Sequence, residues 1–485
     1  MTTSDATPAA TPDEVPAPAT ATVPGGTRAL LDEAARAGAD CEVWTTRRVL
    51  EEVVCRAGVV ERRSDVASGA TAVTVWEEDA EGRREGYAVQ ALPFSADPSI
   101  VRTALEVGRA LPHKATAPGS AGTGPAGSSG SGTGSAGADA GASGDAAAPV
   151  RPACDARLDE RLVDIVRKLS ESPAHQDVEL RAKAERATVH LHRAGAEARQ
   201  HTTGLFQLQA RITTTAPSGG VGFISDQTYG TDADALLDQA TRQGLPELCD
   251  LAGVLAEAPA DDVDHDDVLV SGWVMVKLLS LVVPAFLQDT VVEGRSPLGE
   301  KVGQQVCARG VDLVDDPFAA AYPLSAPWDD EGTPTRTTEL VVDGTLRGFL
   351  SHQHSAALAG THSTGSGRRS AGGEMPRVQP SHLSLRPGPL IGPDPRAGRR
   401  LLRIVQANGA HTSNGITGDF SIGANAVLEN PDGTRCNAGS ITVAGNVFEL
   451  LGSIEGHDGA VRASRSHTTF VTSPGVWTEA VAIGR

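Results

Sequence analysis

Apolar residues recur along this chain at two different periods, and the switches between them mark out its elements. Between Thr27 and Ala37 the residues Leu30, Leu31, Ala34 and Ala35 fall at helical spacing, whereas Cys41 to Glu77 alternates Val with polar residues as half-buried strands do. Asp97-Pro98 has the makings of a helix start. Asp can cap, Pro suits the first helical position, and Ile100, Ala104, Leu105, Gly108 and Leu111 then share one face. The same kinds of element return further on: Leu158, Leu162, Ile165, Val166 and Leu169 make a helical stripe, and Val178 to Ile212 alternates around Val189, Leu191, Phe206 and Leu208. A further helix is predicted from Asp232 to Leu255. The acidic, Pro-containing stretch Ala256 to Asp267 follows and reads as a domain boundary.

Beyond Val268 the pattern changes. The apolar run Trp273 to Leu287 contains Lys277 and Pro284 and is shorter than the roughly 20 residues of a membrane helix. It reads as one buried helix. Short β-like segments follow, punctuated by the turn pairs Asp343-Gly344, Asn414-Gly415 and Asp432-Gly433, so this part is expected to be mainly antiparallel sheet. The prediction is an α+β protein. It has a disordered tail over 1–26, an N-terminal α/β domain over 27–258, and a C-terminal β-rich domain over 262–485 with one buried apolar helix. Residues 115–149 are almost wholly Gly, Ser, Ala, Thr and Pro and are expected to be a disordered insertion that interrupts the first domain. Its two GxGxxG matches, Gly122 to Gly127 and Gly132 to Gly137, neither follow an apolar strand nor open a helix, so they carry no nucleotide site.

Composition narrows the function classes. Asp and Glu outnumber Lys and Arg by 61 to 42, a formal charge of −19 that would repel a phosphate backbone, so no nucleic-acid partner is expected. The segment Met1 to Gly26 lacks a basic start and a continuous apolar core, which predicts neither signal peptide nor membrane anchor. Six cysteines at wide intervals, with no CxxC pair, suit buried structural thiols in a reducing cytoplasm. The expected location is cytoplasmic.

Standard catalytic signatures are missing. None of the 13 histidines is followed by Glu, which removes the HExxH and HExxxH zinc helices, and neither a GxSxG elbow nor a P-loop is present. His352, His354 and His362 form the densest histidine cluster. Three imidazoles can hold zinc, but the surrounding Leu350 to Arg369 is polar and loop-like, where surface histidines are common. Asp329, Asp330 and Glu331 stand in a turn-forming stretch, either as paired carboxylates for acid and base work or as a solvated turn that caps amides. The small residues of His362 to Arg369 lead into two arginines. Such a loop can hold a carboxylate or a peptide backbone, or can simply be flexible.

Taken in order, the C-terminal stretches resemble the TldD/PmbA family, once described as modulators of DNA gyrase and understood as subunits of a heterodimeric zinc metallopeptidase. The resemblance rests on Gly294-Arg-Ser296, Gly303-Gln-Gln-Val306, Asp315-Asp-Pro-Phe318, Asp329-Asp-Glu-Gly-Thr-Pro-Thr335 and Asp343-Gly-Thr-Leu-Arg-Gly348. It continues through Ser363-Thr-Gly-Ser-Gly-Arg368, Gly418-Asp-Phe-Ser-Ile-Gly-Ala-Asn425 and Gly439-Ser-Ile-Thr-Val-Ala-Gly-Asn446. In the TldD type, an apolar helix before the Gly-Arg-Ser stretch carries HExxxH, with two zinc-binding histidines and a Glu as general base. Here the corresponding helix is Leu278 to Asp289. The resemblance puts Ser280 and Ala285 at the ligand positions and Leu281 at the base position. The family's third ligand is a cysteine near the C-terminus, and no Cys follows Cys436, which is expected in a turn.

The resemblance therefore implies a metal-free TldE or PmbA type of subunit, with no catalytic residue and no cofactor of its own. It further implies a TldD-like, HExxxH-bearing partner that carries the zinc, the two together enclosing a cavity in which unfolded peptides or peptide-like amides are cleaved. The residues expected to line that cavity or the interface are Asp330, Glu331, Ser363, Thr364, Gly365, Arg368 and Arg369. Two alternatives keep other substrates open: an amide hydrolase acting on a small antibiotic precursor, which the Ala-, Gly- and Arg-rich composition of a high-GC genome suits, and a non-hydrolytic regulatory binding protein.

Overall fold

Alternation builds the first sheet. In strand β1 (Asp40–Arg56) Cys41, Val43, Val53 and Cys55 are buried in the cores beneath helices, while Glu42, Trp44, Thr46 and Arg48 take the opposite face. β1 pairs antiparallel along its length with both β2 (Val59–Asp79) and β4 (His175–Arg193). With β3 (Gly82–Ala91), β5 (Arg199–Thr215) and β6 (Val221–Gly230) it forms a sheet of order β3-β2-β1-β4-β5-β6. Three strands come from either side of the Gly/Ser/Ala segment, and the β1–β4 pair is their seam.

These features belong to a computed structural model that describes residues 25–91, 97–111, 156–170, 175–319, 326–370, 372–388, 398–408, 413–466 and 469–484. The expected insertion over 115–149 lies outside the described residues, as does the expected tail over 1–26 apart from Gly25 and Gly26, which belong instead to the first helix.

Helices α1 (Gly25–Arg36), α2 (Ser99–Ala110), α3 (Ala156–Ser170), α4 (Ala233–Gln239) and α5 (Leu245–Ala256) pack on one face of this sheet. Its strand pairs are all antiparallel, so the helices are segregated from the strands in the α+β manner. Glycine lets two of the helices lie close. A Cβ on Gly86 would stand 1.8 Å from the Ala104 carbonyl oxygen of α2, and one on Gly222 would stand 2.0 Å from that of Ala252 in α5. Asp97 accepts a hydrogen bond from the Ser99 amide (2.9 Å) and Asp232 one from Ala235 (2.9 Å), as capping residues do. Leu111, expected on the buried face of α2, is instead 50% exposed, because the helix ends at Ala110 and the chain turns extended there. The single helix expected over 232–255 is interrupted by a π-helical turn, Ala240–Gly244. Pro246 follows it and has no amide hydrogen to continue the α-helical ladder.

The C-terminal part contains two larger sheets around one core. A six-stranded sheet has the order 345–346, 338–342, 311–315, 382–387, 469–473, 462–466, and a seven-stranded sheet the order 456–457, 476–477, 267–270, 401–408, 419–429, 435–446, 481–484. Both are mainly antiparallel, with one parallel pair each. Helix α6 (Gly272–Val282) packs in the core shared by the two. It is shorter than the run Trp273 to Leu287 predicted, and the stretch Leu278 to Asp289 is not one helix: Val283–Phe286 is a 3-10 turn and Gln288–Val292 a separate short helix. Pro284 is the reason, since it cannot donate to the α-helical ladder. Asp343 and Gly344 both have positive φ (48° and 75°), as a two-residue hairpin turn requires. Among the described residues no helix is long and apolar enough to cross a membrane.

Trp273 joins the two parts. It is buried beneath the guanidinium groups of Arg462 (4.3 Å) and Arg403 (5.8 Å), both of which pair with Glu247 of α5 (2.5 and 3.2 Å). Asn437 donates to the carbonyls of Leu255 (3.1 Å) and Glu257 (2.8 Å), closing the C-terminal end of α5.

If these close approaches seat the helices, Gly222→Ala and Gly86→Ala each lower stability by about 1–3 kcal/mol through forced displacement of α5 or α2. Gly253→Ala in α5, where a Cβ meets nothing within 4 Å, is neutral or stabilising. Urea-unfolding midpoints compare the three. An unchanged midpoint for Gly222→Ala would contradict the packing.

Candidate functional site

The carboxylates of the turn after Trp328 divide their work. Asp329 is fully buried: one oxygen accepts from the Glu331 (3.1 Å) and Thr333 (2.8 Å) amides, the other from the Gly367 amide (2.8 Å). It caps amides as a turn residue does, but in the interior rather than in solvent. Asp330 faces the other way, accepting from the Trp44 indole (3.0 Å) and from the Arg369 amide (2.7 Å). Glu331 accepts from the Gln353 amide (2.8 Å), and a Cβ on Gly367 would lie 2.8 Å from its carboxylate. Burial pushes the Asp329 carboxyl above its ordinary range and holds that of Glu331 up at about 7.

The loop of small residues is ordered by hydrogen bonds rather than flexible. The Thr364 hydroxyl donates to the Ser351 carbonyl (2.9 Å) and accepts from the Ser351 amide (2.8 Å), and the Ser363 hydroxyl donates to the same carbonyl (3.2 Å). Gly365, with φ of +74°, presses against Pro334, where a Cβ would lie 2.4 Å from the carbonyl oxygen. Arg368 donates to the Trp328 carbonyl (3.4 Å) and the Ser381 hydroxyl (2.9 Å). Arg369 is 4% exposed, with its guanidinium near the Tyr87 and Trp44 rings (5.5 and 5.7 Å) and 3.6 Å from Glu42.

Asp330, Arg368 and Arg369 border a cavity of about 380 Å³ between the helix-free face of the first sheet and the C-terminal part. Glu331, Ser363, Thr364 and Gly365 are not among its lining residues; they shape the turn and loop that carry the other three. The opposite wall comes from β1, β4 and β5, through Trp44, Arg48, Glu185, Val189 and His201. Glu185 accepts two hydrogen bonds from Arg465 (2.7 and 3.0 Å) and one from Arg48 (2.5 Å), which hold its carboxyl below the usual range despite its burial. The His201 ring meets Trp328 edge-on at 4.4 Å, and burial lowers its pKa to about 4, leaving a neutral imidazole. Sequence reasoning missed this wall. Its trace is the polar half of the alternation, Glu42, Trp44, Thr46 and Arg48, set against buried Cys41 and Val43.

The histidines separate. His352 caps the short helix Gln353–Leu358, with Nδ1 2.8 Å from the Ser355 hydroxyl and 3.3 Å from Asp289; His354 lies beside it at a ring distance of 6.0 Å, and His362 is exposed. Among the described residues no three His, Cys, Asp or Glu side chains come together as a metal ion needs. The segment that resembles the zinc helix has no suitable donors. Ser280 donates its hydroxyl to the Val276 carbonyl (2.5 Å), Leu281 packs against the core, and Ala285 is buried with its carbonyl accepting from Ser296 (2.6 Å). Zinc coordination requires imidazole, thiolate or carboxylate, so these positions do not fit the ion. Cys436 opens the strand Arg435–Asn446 rather than sitting in a turn. Burial pushes the thiols of Cys41 and Cys307 up to about 12, which leaves them unreactive.

Fold and site together define an α+β protein in which a one-sided antiparallel sheet and a two-sheet C-terminal part enclose a polar cavity. Residues 264–485 match the model of the PmbA/TldA metallopeptidase C-terminal domain. A metalloprotease of Methanothermobacter thermautotrophicus is 31% identical over 173 residues, 35% of this chain and 37% of that protein. A metalloprotease TldD homolog of Haemophilus influenzae is 31% identical over 138 residues, 28% of this chain and 27% of that one. The matched stretches thus span less than half the length of these relatives. In fold, TldE from Thermococcus kodakarensis superposes with a TM-score of 0.72 at 19% identity, covering 92% of this chain and 97% of that one. Residues 264–485 thus belong to the TldD/PmbA family, and the described fold as a whole is similar to that of TldE.

The elevated carboxyl of Glu331 gives the site a pH signature. A group with a raised folded-state pKa favours folding while it stays protonated, so this contribution is full below the ordinary value of 4.5 and is lost as pH rises to about 7. Glu331→Gln, which mimics the protonated form, should lose less thermal stability than the parent between those limits. Identical slopes of Tm against pH in the two proteins would refute the assignment.

Proposed function

We propose that this chain is the zinc-free, TldE-like subunit of a heterodimeric metallopeptidase of the TldD/PmbA type, and that it completes the cavity in which unfolded peptides or peptide-like amides are cleaved. The observation that carries the reading is the chemistry at the positions resembling the zinc helix. Ser280, Leu281 and Ala285 offer a hydroxyl already donated to its own helix, an alkyl side chain and a methyl group. No metal-dependent step can be built on them. What this chain supplies is a shaped wall: Trp44 and Val189 for apolar surface, and buried Asp330 and Arg369 with half-buried Arg368 for orientation. The zinc and general base then belong to a partner of TldD type. A small amide of a biosynthetic pathway remains the second substrate class, favoured by a cavity of about 380 Å³, near the lower end of ligand-sized pockets.

Coexpression with an HExxxH-bearing relative from the same genome should yield a stable complex with one zinc per heterodimer and activity on unfolded peptides. Substituting the partner's HExxxH histidines should remove both zinc and activity, while Ser280→Ala in this chain leaves both intact. Stoichiometric zinc and peptide cleavage by the isolated chain would overturn the proposal.

A further inference from the structure

The cavity wall carries more hydrogen-bond donors than the protein satisfies. Arg48 Nε and Arg369 Nε are buried donors without a hydrogen-bond partner, His201 Nδ1 is likewise buried and unpartnered and donates in the tautomer that carries its proton there, and all three residues line the cavity. Buried polar groups are normally paired, so three in one wall ask for acceptors from outside the chain. Arg368 adds a cationic group. It hydrogen-bonds a neutral carbonyl and a neutral hydroxyl and forms no ion pair among the described residues.

Charge sorts the ligand. Four arginines line the cavity, Arg48, Arg368, Arg369 and Arg465, on a chain whose formal charge is −19. Glu185 answers Arg48 and Arg465, and Glu42 pairs with Arg369, so Arg368 is the lining arginine left without an ion pair among the described residues; both oxygens of Asp330 are occupied by the Trp44 indole and the Arg369 amide, and Glu374 is exposed. Those same carboxylates disfavour a dianion such as phosphate, whereas a planar monoanion suits guanidinium forks. The remaining surface combines Trp44, Val189 and Ala326 with the hydroxyls of Thr46 and Thr203, which matches a short chain of amides and small side chains.

We infer that the cavity is a binding site for the free C-terminal carboxylate of a peptide, held by Arg368 with Arg48, Arg369 and His201 donating to it and to the preceding carbonyls. This deepens the functional reading above by naming which end of a peptide the subunit grips. It rests on that reading for its place in a cleavage cycle but not for the binding itself, so the two can fail separately.

Titration of the purified full chain by calorimetry tests it without a partner. N-acetyl-trialanine with a free carboxylate should bind at least tenfold more tightly than its C-terminal amide, and more tightly than inorganic phosphate. Arg368→Gln should erase the preference for the acid, and Arg368→Lys should keep part of it. Ser68→Phe, which obstructs the cavity without touching its charges, should abolish binding and serves if Arg368→Gln does not fold. Equal binding of acid and amide, no binding of either, or undiminished binding by the Ser68→Phe protein would overturn the inference. So would tighter binding of N-acetyl-Ala-Glu-Ala amide, which would place a side-chain carboxylate in the site.

Discussion

The buried carboxylate of Asp330 is the constraint on which the site depends. It reaches across 286 positions of the chain to accept from the Trp44 indole on β1 and, on its other oxygen, accepts from the Arg369 amide. A carboxylate in the interior is costly unless its lone pairs are filled, and only this alignment of sheet and loop fills them. Trp44 then lies against Ala70, Ala72, Val189, Leu191 and Trp328 in a small core between the two parts of the molecule. Cavity, turn and arginine loop are arranged around that contact.

The neighbouring acids show how burial assigns different jobs to similar residues. Asp329 is used up by three backbone amides and fixes the turn. Glu331 holds the Gln353 amide, yet burial, helped by the nearby Asp329 and Glu42, keeps its proton to near neutral pH. Glu185, equally removed from solvent, stays ionised because two guanidinium groups face it. The result is a cavity with fixed charges on one wall and a titrating group just behind the other.

The absence of zinc donors fits the same economy. Where the family resemblance expects two imidazoles and a glutamate, this chain has Ser280 and Ala285 and, between them, Leu281, with Ala285 packed in its core, Leu281 against it, and α6 ending two residues before Pro284. That stretch is part of the scaffold. What lines the cavity instead is arginines, aromatic rings and hydroxyls.

The sequence by itself determined a good deal. Alternation and helical spacing revealed the strands and most helices, turn pairs such as Asp343-Gly344 marked the hairpins, and the ordered motifs of the C-terminal part pointed to the TldD/PmbA family. Local patterns carry that information because side-chain period and backbone φ depend on near neighbours. Asp330, Arg368 and Arg369 were legible too, as motif residues. Tertiary structure alone decided which candidates meet and what they meet. It turned Ser363, Thr364 and Gly365 into supports, broke two expected helices at Pro246 and Pro284, and brought Trp44, Arg48, Glu185 and His201 from distant strands to face the arginine loop. Those contacts come from sheet register and from the seating of one domain on another. Neither leaves a trace in any single stretch of sequence, because the free energy that fixes them is shared among residues hundreds of positions apart.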